Sequence, residues 1–91
     1  MVSHRIVVGA ADDDAEARTT ARELRDAGHE VVFVGGGQTP EHLVRAALAE
    51  DASRLVVDAD EATIERVREL CDELEAADIS VVPRCDAFNA T

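Results

Sequence analysis

Ninety-one residues make one small domain, residues 1–91, which buries at most about two thirds of its unfolded surface. Twenty acidic residues against nine basic ones give a net charge of −11, all nine cations are arginine, and Phe33 and Phe88 are the only aromatic rings. This excludes nucleic acid as a partner, since that needs a basic stripe and stacking rings, and no apolar run nears the roughly 18 residues of a membrane span.

The start MVSHRIVVG has neither the long apolar stretch nor the cleavage site of a signal peptide, so a cytosolic protein is expected. Cys71 and Cys85 are too few and too far apart for a disulfide framework or a CxxC site, and both are read as free thiols. Surplus carboxylate, no lysine and 16 alanines resemble the composition of proteins from salt-accumulating haloarchaea, where salt screens the repulsion. The acidity thus reports habitat more than ligand.

In chain order, Arg5 to Ala11 is a continuous apolar run suited to a strand buried on both faces. Asp12, Asp13 and Asp14 are N-cap candidates for a helix whose buried face carries Ala17, Ala21, Leu24 and Ala27, stopped by Gly28. Val31 to Val34 is a second strand, broken by Gly35, Gly36 and Gly37. Thr39, Pro40 and Glu41 then start a helix carrying Leu43, Val44, Ala47 and Leu48. Leu55 to Val57 is the third strand, and Asp58 and Asp60 are cap candidates for a third helix. That helix carries Ile64, Val67, Leu70, Cys71 and Leu74 and ends near Ala77. Ile79 to Val82 is the fourth strand, and RCDAFNAT after Pro83 is too short for another helix and strand.

This βαβαβαβ pattern predicts an α/β, flavodoxin-like (Rossmann-like) three-layer domain, a truncated four-stranded parallel sheet in the order 2-1-3-4. The face beside the first helix is under-covered at strands three and four. Phe88, a second copy of the chain making a homodimer, or a partner protein is expected to cover it.

Ligands of such sheets bind beyond the carboxyl ends of the strands where their order reverses, here between strands one and three. That places Asp12, Asp13, Asp14, Gly35, Gly36, Gly37, Asp58, Ala59, Asp60, Arg84 and Cys85 at the candidate cofactor site. The rim has neither GxGxxG nor GxxxxGK[ST], so it lacks the phosphate cradles of nucleotide sites. Arg84 is positioned to pair with Asp58 across neighbouring strand ends. His4, His29 and His42 read as surface or packing histidines.

The stretch LRDAGHEVVFVGGGQTPEHLVRAALAEDASRLVV, Leu24 to Val57, resembles the cobalamin-binding domain of adenosylcobalamin-dependent mutases, of the methylmalonyl-CoA mutase and glutamate mutase small-subunit type. Gln38-Thr39-Pro40-Glu41 looks like that family's QTPE helix start, and RIVVGAA like its first strand. The resemblance implies the same fold and a corrinoid at the rim. The family's DxHxxG, whose histidine ligates cobalt, is DDDAEA here. Its Ser-x-Leu is Asp58-Ala59-Asp60, and its Gly-Gly is Arg84-Cys85. The resemblance therefore implies a non-catalytic subunit or accessory protein of a mutase-type partner, binding cobalamin weakly and base-on if at all.

The same fold also hosts response-regulator receivers, in which two acidic residues after strand one and an aspartate after strand three hold magnesium. Asp12, Asp13 and Asp58, about 45 residues apart, look like that trio, with Asp58 the phosphoacceptor and Mg the cofactor. The receiver's lysine has no counterpart here, since the chain contains none.

Overall fold

The computed structural model describes residues 5–76 and 78–88, so the reading of His4 lies outside the described residues. Strands β1 (Arg5–Ala10), β2 (Glu30–Gly35), β3 (Arg54–Asp58) and β4 (Ser80–Pro83) alternate with helices α1 (Ala15–Asp26), α2 (Pro40–Ala49) and α3 (Glu61–Glu73). A short 3-10 turn, Arg84–Asp86, follows β4. All strand pairs are parallel and the order is β2-β1-β3-β4, as the sequence pattern predicts.

Each strand alternates its side chains between two apolar layers. Ile6, Val8, Ala10, Val56 and Val82 meet Ala17, Ala21 and Leu24 of α1 on one face. Val7, Leu55 and Val57 meet Leu43, Val44 and Ala47 of α2 and Ile64, Val67, Leu70 and Cys71 of α3 on the other. Both faces of the sheet are thus apolar, which is why the strands read as unbroken Val and Ile runs.

The helix ends correct three expected core positions. In α1 the His29 N–H bonds the Leu24 carbonyl and the Gly28 N–H that of Arg25, the paired closure of a Schellman turn. Asp51 and Ala52 close α2 in the same way, as do Glu75 and Ala76 for α3. Ala27 is the exposed C-cap of α1 rather than part of its buried face. Leu48 and Leu74 are 45% and 49% exposed, because the residue just past each turn, Ala52 or Ala76, folds back to cover the stripe instead. The third helix consequently stops at Glu73, and Ala77, near which its end is expected, lies outside the described residues.

The face beside α1 is better covered than expected, and by a different residue. The Arg84–Asp86 turn brings Ala87 down onto Val56 and Val82, leaving all three buried. Phe88 is 55% exposed and does not fill the gap. At the outer edge, Arg68 of α3 donates to the Val81 carbonyl and Pro83 has no N–H to offer, which blunts β4 as a template for another strand. Among the described residues no helix is long and apolar enough to cross a membrane.

Candidate functional site

The carboxyl ends of the four strands form one rim, and backbone bonds knit its loops together. The Ala11 N–H reaches the Asp58 carbonyl at 3.0 Å, tying the end of β1 to that of β3. Toward β2, the Gln38 N–H bonds the Ala10 carbonyl and the Gly37 N–H the Asp12 carbonyl, each at 3.0 Å. The Gln38 side chain donates to the Val34 and Gly36 carbonyls at 3.0 and 3.3 Å, holding the glycine turn shut.

The glycines answer to this geometry. A Cβ on Gly36 would press into the Asp12 carbonyl oxygen, and Gly35 and Gly37 take φ of 88° and 65°, a region open to glycine and strained for other residues. The triplet is therefore a turn fitted against the β1–α1 loop.

The three aspartates after β1 do not share one task. Asp14 holds the N-cap position of α1, yet its side chain caps nothing there. Instead its Oδ2 accepts the Gly36 N–H at 3.1 Å, and its Oδ1 lies 3.5 Å from Arg18, whose guanidinium stacks 5.0 Å from the Phe33 ring centroid. Asp13 accepts the Ala15 N–H at 3.3 Å, and Asp12 is exposed. Sequence reasoning had no signal for the Asp14–Gly36 bond, because it joins two loops distant in the chain.

After β3, Asp60 rather than Asp58 caps α3, accepting the Thr63 N–H at 2.8 Å. Its bonds to Thr63 hold its carboxyl below the usual range. A carboxyl depressed in the fold contributes stability that is present above its unfolded pKa and lost as pH falls through the lower folded value. Asp60→Asn, which keeps a capping oxygen, is expected to flatten this acid limb; an unchanged stability profile below about pH 4 in thermal melts would contradict it.

Asp58 faces Arg84 instead. Arg84 Nε lies 3.6 Å from Asp58 Oδ1 and Nη2 lies 2.8 Å from Glu16 Oε2, so the pairing expected from sequence is present and extends to a residue of α1 that sequence reasoning missed. Among the described residues no group of three His, Cys, Asp or Glu side chains is placed to hold a metal ion. The magnesium trio Asp12, Asp13 and Asp58 is therefore not assembled: Asp13 turns to its own helix and Asp58 to Arg84.

Ala59 is half-buried beside the second core layer, and Cys85 is exposed. The Cys71 thiol is pushed up by burial, and further by Asp72 and Asp78. Expected under native conditions is rapid labelling of Cys85 by a thiol reagent and slow labelling of Cys71. Equal rates by mass spectrometry would show that α3 opens.

Of the described histidines, His42 starts α2 at the rim end, while His29 follows α1 at the opposite end; both are exposed. The β1–α1 loop itself offers carboxylates and no imidazole. That loop therefore has no imidazole with which to ligate a cobalt ion. A separate cleft of about 230 Å3, lined by Arg68, Cys71, Asp72, Ile79 and Val81, lies between α3 and β4, away from the rim residues.

No family model matches the chain. It is 34% identical over 79 residues to the 2-hydroxyisobutanoyl-CoA mutase small subunit of Aquincola tertiaricarbonis, a match covering 82% of this chain and 58% of that subunit. The chain thus spans little more than half the length of the curated relative it matches. It combines a 2-1-3-4 parallel sheet with sequence similarity to a mutase small subunit.

Proposed function

We propose that the chain is a cobalamin-binding-domain homologue without the cobalt-ligating histidine motif, acting as a non-catalytic subunit or accessory protein of a mutase-type partner. The observation that carries this reading is the 34% identity to a mutase small subunit. The rim supplies the surface on which a corrinoid would rest: Asp12, Asp13, Asp14, the Gly35 to Gly37 turn, Asp58, Ala59, Asp60 and Cys85, with Arg84 lying across it. When bound, the cofactor supplies the cobalt–carbon chemistry. This chain's residues position it, and the partner holds the substrate. The partner, or a second copy, docks where Phe88 is exposed.

The composition suits a salt-rich cytoplasm, so the test belongs in about molar potassium chloride, where charge repulsion is screened. The purified protein is titrated with adenosyl- and hydroxocobalamin, following heat and the visible spectrum. Saturable binding with an unchanged base-on spectrum is expected. A spectral shift to protein-ligated cobalt that His42→Ala abolishes would overturn the base-on mode. No binding at high micromolar cofactor would overturn the corrinoid reading.

A further inference from the structure

Strand order reverses between β1 and β3, where an open parallel sheet presents its ligand crevice. One side chain spans that point. Arg84 starts beyond β4, passes the carboxyl end of β3 with Nε 3.6 Å from Asp58, and reaches the first turn of α1, where Nη2 lies 2.8 Å from Glu16.

The strand ends do not depend on it. The β3–β4 ladder runs to Val57 and Pro83, and the Ala11–Asp58 backbone bond already joins β1 to β3. Nor is the contact a saturated structural bridge. Arg84 Nε is closed off from water and makes no hydrogen bond, a state that costs free energy. At its other end Glu16 is 68% exposed, where an ion pair stabilises little. A side chain held at one end by a 3.6 Å ion pair without a hydrogen bond, and solvated at the other, is open to displacement.

We propose that Arg84 is a displaceable clasp: closed in the free protein, it bars the crevice between β1 and β3, and it swings aside when a ligand enters. The proposal rests on the reading of this rim as a corrinoid site. The clasp makes binding salt-dependent, because screening weakens Arg84–Glu16.

Calorimetric titration of hydroxocobalamin into the wild type, Arg84→Ala and Glu16→Gln, at about 0.2 M and 2 M potassium chloride, tests it. Both variants should bind about two- to fivefold more tightly than wild type at low salt, the range an exposed ion pair spans. The gap should narrow at high salt. Glu16→Gln alters only an exposed carboxylate, so it remains informative if Arg84→Ala folds poorly. Equal affinities in all three proteins overturn the clasp while leaving the corrinoid reading standing. Weaker binding by Arg84→Ala with Glu16→Gln unchanged makes Arg84 a ligand contact and also overturns the clasp. Saturable binding by none of them, with circular dichroism unchanged, removes both.

Discussion

Gly36→Ala is expected to be among the most destabilising single substitutions in the chain. The added methyl would meet the Asp12 carbonyl oxygen, a backbone atom fixed by the Gly37 N–H, and cannot rotate away from it. Either the β1–α1 loop or the glycine turn must move, breaking the Gly37–Asp12 and Gly36–Asp14 bonds together. Overpacking against rigid neighbours costs about 3 kcal/mol at the upper end of its usual range. A chain of this size has roughly 5 to 14 kcal/mol in all, so the melting temperature should fall by more than about 10 °C. Gly37→Ala is the control: its φ is also positive, but nothing lies near the new methyl, so only the backbone strain of about 1–2 kcal/mol applies. Denaturant unfolding in molar salt measures both, and equal losses would show that the Gly36 contact is soft.

The second large effect sits beneath the same turn. Leu43, fully buried at the start of α2, should cost about 2 to 5 kcal/mol when cut to alanine, through lost burial and the cavity left behind. Gly9 on β1 makes that loss partly recoverable. A Cβ there would lie 2.6 Å from Leu43 Cδ2 and 2.8 Å from Val34 Cγ2, so Gly9→Ala alone should be destabilising. In Leu43→Ala the nearer of these atoms is gone, and the new methyl occupies part of the cavity. The double variant should therefore be more stable than the two separate losses imply. Additivity within about 0.5 kcal/mol, from equilibrium unfolding of the four proteins, would show that α2 shifts to close the cavity itself. The outcome bears on the rim, since Gly9 lies where the β1–β2 register slips and Val34 is passed over.

Much of the fold was legible because it depends on local chemistry. Val and Ile runs mark strands buried on both faces, Thr39-Pro40 marks a helix start, and Thr39 does accept the His42 N–H. Asp60 caps α3 and Gly28 closes α1 for similarly local reasons. The misplaced positions lie at helix ends. Leu48 and Leu74 continue an apolar stripe in the sequence, but the turn that follows each returns an alanine over the core in their place.

The candidate site divides along the same line. Which loops gather at the rim follows from strand order, and strand order followed from the βαβαβαβ pattern. The sequence carries a resemblance to a cobalamin domain over Leu24 to Val57 and a lesser one to a receiver at Asp12, Asp13 and Asp58, beside the plain reading of the aspartates as helix caps.

By itself the sequence determined an acidic, lysine-free chain with a four-stranded parallel sheet and its helix starts, because composition, period and capping are properties of neighbours in the chain. Only the tertiary structure decided how the carboxylates are used. Asp14 is given to Gly36, Asp13 to its own helix, Asp60 to Thr63, and Asp58 with Glu16 to Arg84. The physical reason is that a carboxylate takes whichever hydrogen-bond donor or cation the fold brings beside it. Two of those donors, the Ala15 and Thr63 N–H groups, come from residues within one turn along the chain, but Gly36 and Arg84 arrive only when distant loops meet at the ends of the sheet.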